Sequence, residues 1–399
     1  MININSFLHR HEFYDLVRRW MYGDLLSSDP ERLTRLVHFN NAYISRYLSL
    51  FSSWLIQSFH EAPLRQVRAR KKAEVKDAIC KNPPYTNKRI EQLVRDYNEH
   101  PEYYYRETPF LGHMFFVKIG GRDLYVGSRR IKRVKRLAEK AARRIVDRIF
   151  EAIKLHAEAL AYDRARSAGI SMENLLSEPE DMLAEFLWAE KRMQDDLKNH
   201  RPIPVDDDLV INDVAGLKII LEGKDQSKVM QVLTGSHDCE VLEVEPHRGN
   251  YNATNILVEH SPDKEKILAQ PLSDQLLSFF ASLGMDTKMV QQEFENWVSL
   301  GEDTVTIEVI ISDYQEMLES EIGRCMHEDR IIDQRLRQEY RGHLSKNVEY
   351  LLEYIFAVAV SKKSRLGDIP IKLWNRYLPD YFEEVLMELY EIPPTHFEV

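Results

Sequence analysis

A chain of 399 residues exceeds what one hydrophobic core usually organises, so two or three folded units are expected. With 44% hydrophobic and 30% charged residues, the composition is that of a soluble globular protein and excludes a disordered one. A formal net charge of −10 excludes a protein that coats nucleic acid without preference, because neutralising phosphates needs a cationic surface.

The cysteines Cys80, Cys239 and Cys325 are widely spaced and match no metal-ligand pattern, which fits a reducing compartment. The first residues lack the charged-then-apolar pattern of a secretory signal. The most apolar later stretch, Tyr354 to Val360, is far shorter than the ~20 residues that cross a bilayer. A cytoplasmic protein without a membrane partner is expected.

From Phe13 to about His60, apolar residues such as Tyr43, Tyr47, Leu50 and Trp54 recur at helical spacing, with a break at Asp29-Pro30. Between residues 113 and 127 the pattern becomes that of a β-hairpin, Phe115 to Ile119, then Gly120-Gly121, then Leu124 to Val126. Ser128 is then expected to cap a long helix running to about Arg166, with Leu137, Ala141, Ile145 and Ile149 on one face. Residues 129–144 are strongly basic, including Arg129, Arg130, Lys132, Lys140 and Arg144. Such a run is either a solvated helix face or a contact for RNA. A further helix from about Pro179 to Asn199 precedes the proline-stiffened Arg201-Pro202-Ile203-Pro204. From Val210 strands are expected at Ile211 to Leu221, Cys239 to Val244, Thr254 to Glu259 and Thr304 to Ile311. Helix returns after Ile331, including Leu351 to Val360 and Tyr377 to Tyr390.

Three segments carry the chemistry. In Ile211-Asn212-Asp213-Val214-Ala215-Gly216-Leu217-Lys218, an acid precedes an apolar strand, where a carboxylate can hold magnesium against nucleotide phosphates. In Glu245-Pro246-His247-Arg248-Gly249-Asn250-Tyr251, a polar turn ends on a ring that could stack on a purine, an interaction worth ~1–3 kcal/mol per base. In Thr304 to Ile311, a period of two puts Ile307 and Val309 on one face and Glu308 on the other with Thr306 and Ile310. A carboxylate amid so apolar a strand requires a cation or a proton donor. The histidines His9, His11 and His396 lie without acidic or cysteine partners at metal spacing, and Asp206-Asp207-Asp208 reads as a solvated linker.

In this order the segments resemble the signatures of the RelA/SpoT alarmone synthetases. The first is similar to that family's aspartate followed by a small residue and Arg-Ile-Ile. The second resembles its Pro-Lys-x-Asn-Gly-Tyr-x-Ser-Leu-His turn. The third resembles its Glu-Ile-Gln-Ile-Arg-Thr strand, continuing without a gap to Glu321, Gly323 and His327. The resemblance implies an α+β fold: a nucleotidyltransferase-like mixed sheet with flanking helices, preceded by a largely helical N-terminal region and followed by a helical C-terminal region. The corresponding units would be residues 1–168, 169–335 with an insertion near 261–303, and 336–399.

The activity implied is magnesium-dependent transfer of pyrophosphate from ATP to the 3′-hydroxyl of a guanine nucleotide (GDP or GTP) or of RNA, as in guanosine tetraphosphate metabolism and the bacterial stringent response. Asp213 would be the principal Mg2+ ligand, Glu308 a second ligand or the base, and Tyr251 the ring on guanine. Lys218, His247, Arg248 and Asn255 would face the nucleotide. The departures fall on positive charge: Lys218 replaces an arginine, His247 a lysine, Asn255 a histidine and Ser312 an arginine. For the upstream Arg-x-Lys-x-x-x-Ser phosphate segment, the chain offers only Lys191-Arg192 in the expected 179–199 helix. These losses keep a second reading open, a catalytically degenerate nucleotide-binding or regulatory protein on the same scaffold. A third is a helical interaction protein whose sheet only scaffolds partners.

Overall fold

The computed structural model describes residues 2–175, 178–202, 209–249, 251–337 and 340–393. Residues 203–208 of the linker region and His396 therefore lie outside the described residues. The strands are β1 (Ile2–Ile4), β2 (Arg65–Lys71), β3 (Pro109–Ile119), β4 (Arg122–Ile131), β5 (Leu209–Ile211), β6 (Ala215–Ile220), β7 (Cys239–His247), β8 (Ala253–His260) and β9 (Val305–Ser312). The helices before the linker are α1 (Arg10–Met21), α2 (Asp29–Gln57), α3 (Lys72–Lys81), α4 (Lys88–Glu99), α5 (Val134–Ser167) and α6 (Pro179–Lys198). Those after it are α7 (Lys224–Thr234), α8 (Lys264–Leu268), α9 (Asp274–Ser282), α10 (Thr287–Leu300), α11 (Tyr314–Ile322), α12 (His327–Leu336), α13 (His343–Val360) and α14 (Pro379–Leu389).

The expected α+β architecture is present: a seven-stranded mixed sheet in the order β2-β3-β4-β6-β9-β8-β7, flanked by helices. Only the β6–β9 pair is parallel in it, and a separate parallel pair joins β1 to β5. The sheet runs across residue 168, because β4 pairs with β6. Gly127 makes that seam close: a Cβ there would lie 2.4 Å from the Lys218 carbonyl oxygen. The hairpin turn is where the glycine pair stands, with Gly120 and Gly121 at φ of 56° and 81°.

Two cores cover the two faces of the sheet. On one, Leu217, Ile219, Ile307 and Val309 pack with α2, α5 and α13. On the other, Met114, Phe116 and Ile220 meet Val75 and Ile79 of α3, Leu93 of α4 and Met317 of α11. The Asp29-Pro30 break is the start of α2, since proline fits a first turn that needs no N–H donor from it.

One expected start is corrected. Ser128 caps no helix; it is a buried residue of β4, and the helix begins at Val134. Backbone pairing of Ser128 to Lys218 and Arg130 to Gly216 extends the strand past the glycine and outweighs the helical propensity of the basic run. The insertion expected near residues 261–303 forms α8 to α10. Its Phe280 and Phe294 pack on Phe39 of α2, within the first core. Among the described residues no helix is long and apolar enough to cross a membrane.

Candidate functional site

The second face of the sheet is covered by α3, α4 and α11 only in part. Beside them a cleft opens, enclosing about 170 Å³ and lined by Asp213, Glu308, Asn255, Lys140, Arg144 and other polar residues. The period-two reading of β9 places its side chains as expected: Ile307 and Val309 enter the first core while Glu308 faces the cleft. Asp213 reaches it from the link between β5 and β6. The two acids, 95 positions apart in sequence (308 less 213), therefore line one cavity.

Strand pairing arranges the floor in rows, because residues paired across neighbouring strands share a face. One row runs from Arg130 through Gly216, Glu308 and Leu257 to Glu243. The next runs from Ser128 through Lys218, Ile310 and Asn255 to Glu245. Gly216 leaves the gap between the two charged groups of its row open: a Cβ there would lie 3.9 Å from Arg130 Cγ and 4.0 Å from Glu308 Oε2.

Asp213 is flanked by two ammonium groups. Its Oδ2 accepts from Lys132 Nζ and from Lys140 Nζ, each at 2.6 Å. Burial alone would raise its pKa, but the two ammonium groups overcome that and hold the carboxyl well below the usual range. Glu308 goes the other way. Burial, then the charge of Asp213, push its pKa up, against the pull of Arg130, Lys132 and Lys140. Burial also pushes the Lys132 ammonium down to about 8, with Asp213 resisting. Two carboxyls in one cleft are thus driven apart, one fixed as an anion and one made a better proton acceptor.

Nothing in the family-model, curated-protein or solved-structure comparisons matches this chain. Its site must therefore be judged on its own geometry.

Of the residues singled out from sequence, Asp213, Glu308 and Asn255 share the cleft, and Asn255 Nδ2 donates to Glu308 Oε1 at 3.4 Å. Lys218 sits in the adjoining small pocket with Arg130, Glu308 and Glu321, donating to Glu321 Oε1 at 3.2 Å. Tyr251 packs beside His247, with ring centroids 5.6 Å apart, and carries the Arg330 guanidinium 4.0 Å above its ring. Arg248 is exposed and donates to the carbonyl of His247 at 2.9 Å. It does not enter the cleft lining.

Sequence reading missed Lys132, Lys140, Arg130 and Arg144 as site residues. It placed them on one basic helix, whereas the structure distributes that run. Arg129 is buried with its guanidinium on the Ser45 carbonyl, Lys135 meets Glu353, and Arg136 meets Glu139. Arg130 pairs with no acid among the described residues and borders the cleft floor. Arg130-Ile131-Lys132 has an Arg-x-Lys spacing, but Arg136 stands at the serine position, so the segment expected near Lys191 is matched here only in part.

The donor set suits a hard divalent cation. Asp213 Oδ1 and Asn255 Oδ1 are buried without hydrogen-bond partners, and Glu308 adds a second carboxylate. All are oxygens, as magnesium requires. Among the described residues no three His, Cys, Asp or Glu side chains converge as metal ligands. Water and phosphate oxygens would have to complete the shell.

Proposed function

We propose that this chain is a magnesium-dependent transferase of the alarmone-synthetase type, moving a pyrophosphoryl group from ATP to an acceptor hydroxyl. The observation that carries the reading is the shared cleft of Asp213 and Glu308, lined also by Lys140 and Arg144, with Lys132 on Asp213 and Arg130 in the adjoining pocket. The cations missing from the turn and the third strand are offset by these four. Arg130 ends β4, Lys132 follows it, and Lys140 and Arg144 belong to α5. Three free cysteines fit a cytoplasmic setting, where ATP is available.

In this reading Lys140 and Arg144 align the triphosphate, Lys132 holds Asp213, and Arg130 neutralises charge developing at the transferred group. Asp213 and the Asn255 amide oxygen would hold magnesium, which when bound would draw charge from the phosphoryl oxygens, while Glu308 is kept as the base. The acceptor oxygen bonds to the β-phosphorus as the bridging bond to AMP breaks. The hydroxyl proton passes to Glu308, and AMP leaves as the anion. A base with a raised pKa suits that role near neutral pH.

The test is transfer of label from the terminal phosphate of ATP, alongside calorimetric binding of ATP with magnesium. Glu308→Gln should lower the transfer rate by about 10²–10⁴ and abolish its acid limb. Absence of ATP binding, or binding and transfer untouched by Asp213→Asn, overturns the proposal.

A further inference from the structure

Helix α6 carries two stripes of side chains with apolar members, and the fold uses one of them. Phe186, Ala189, Met193 and Leu197 recur at helical spacing and pack into the first core. Opposite them, Glu180, Ala184, Leu187 and Lys191 stand at i, i+4, i+7 and i+11, a single line along the helix, with Leu183 and Trp188 on its two sides. All six are exposed, and Leu183, Leu187 and Trp188 are so to 59%, 52% and 67%. Isolated apolar side chains on a surface are ordinary, whereas two leucines and a tryptophan sharing the outward face of one helix form a patch of the kind that meets a partner.

The charges on that face identify the partner. From the amino end of α6 the line reads acid, small, large, base, so in reverse it is its own complement. A two-fold axis passing between positions 185 and 186 sets Glu180 against the partner's Lys191, Ala184 against the partner's Leu187, and Leu183 against the partner's Trp188, each contact occurring twice. Acid meets base, and the small side chain makes room for the large one. Parallel pairing would instead set Glu180 on Glu180 and Lys191 on Lys191, like charge on like. Within the protomer neither Glu180 nor Lys191 has an ion-pair partner among the described residues, whereas Arg164 engages the neighbouring Asp181 and Glu185 at 2.9 and 2.8 Å. Lys191 Nζ lies over the Trp188 ring, 5.7 Å from its centroid, which keeps both side chains on the outward face.

We propose that this chain forms a homodimer through an antiparallel contact between two copies of α6, centred between positions 185 and 186. The contact is remote from the cleft. α6 packs along α5 from Phe150, which meets Phe186, to Arg164, which meets Asp181. Arg164 stands about 30 Å along α5 from the cleft residue Arg144. Dimer formation is therefore independent of the transferase reading.

Sedimentation equilibrium of the full chain, with circular dichroism to show that each variant is folded, tests it. Wild type should have twice the chain mass at micromolar concentration. Leu187→Glu with Trp188→Glu, both at exposed positions, should raise the dimer dissociation constant by more than about thirtyfold, because each loss occurs twice. Glu180→Lys and Lys191→Glu should each weaken association by about tenfold, and the two together should restore it. That rescue cannot arise within one helix, where the two residues stand about 16 Å apart along the axis. A wild type still monomeric at about 100 μM would give the face to some other molecule and overturn the proposal. So would a dimer indifferent to the changes at Leu187 and Trp188, or a double charge reversal that fails to restore association.

Discussion

Replacing Glu321 by Gln would probe the buried charge cluster beside the cleft. Glu321 is 2% exposed and accepts from Lys72 Nζ at 2.6 Å and Lys218 Nζ at 3.2 Å. Glu328 accepts from Lys76 Nζ at 3.3 Å and lies 3.5 Å from Lys72 Nζ. The native cluster sets three lysines against two glutamates, and the variant sets the same three against one. Removing one partner of a buried pair costs about 3–5 kcal/mol, because the remaining charge stays in a poor solvent for ions. Glu321 serves two lysines, so the upper part of that range is expected.

The pH dependence gives a second check. Burial pushes Lys218 down to about 8; Glu321 resists this, while Lys72 and Arg130 add to it. In the unfolded chain a lysine titrates near 10.4, so between the two values the unfolded state binds more protons and stability rises with pH. Without Glu321 the Lys218 value falls further, and the deficit of the variant should shrink between about pH 7 and pH 9. Glu321 itself is held well below the usual carboxyl range by Lys72 and Lys218 despite its burial. Its contribution is present above the unfolded carboxyl value and is lost in acid, a loss the variant should not show. Equilibrium urea unfolding followed by tryptophan fluorescence would measure both. A deficit below about 1 kcal/mol at neutral pH, the size of an exposed pair, would refute the reasoning, as would a deficit that grows with pH.

Asp29 is fully buried and accepts from Arg19 Nη1 and Nη2 at 2.7 Å each, from Trp20 Nε1 at 2.9 Å and from the Leu26 amide at 3.0 Å. Asp29→Ala should cost about 3–5 kcal/mol in the same unfolding measurement, and a cost under a third of that would show the network to be dispensable. Phe294→Ala empties a buried site beside Phe39 and should destabilise by about 3–5 kcal/mol. Since Phe294 belongs to the first core and not to the cleft, ATP affinity measured by calorimetry on folded protein should be unchanged. Residues 169–399 expressed alone lack β2 to β4, leaving the β6 edge open and Asp213 without either lysine. No cooperative thermal transition is expected in circular dichroism, and a sharp one would show that the C-terminal part folds independently.

Much of the sheet was legible because its central strands are short, apolar and bounded by polar turns. In β9 the alternation of Ile307, Glu308 and Val309 gave both the strand and the direction of the one charged side chain. β2 escaped notice for the opposite reason: in Arg65–Lys71 only Ala69 is buried, so an edge strand facing water carries no apolar rhythm. The run after Gly127 misled because arginine and lysine are good helix formers, whereas its fate was decided by a partner strand some ninety positions later (Ser128 against Lys218). Propensity is local, and strand pairing here is not.

The same distance explains why the acids of the cleft could be read and its cations could not. Asp213 and Glu308 stand within motifs whose neighbours announce a strand, so their meaning is carried by a few adjacent residues. Lys132 and Lys140 acquire theirs only when β4 joins β6, across sequence separations of 81 and 73. What looks in the linear chain like carboxylates without phosphate contacts is, once folded, a cleft lined by Lys140 and Arg144, with Lys132 on Asp213 and Arg130 in the adjoining pocket. Of the positions that depart from the resemblance, Asn255 lines the cleft and Lys218 the adjoining pocket, whereas His247 and Ser312 line neither. The positive charge of the site therefore comes from residues that nothing adjacent in sequence announces.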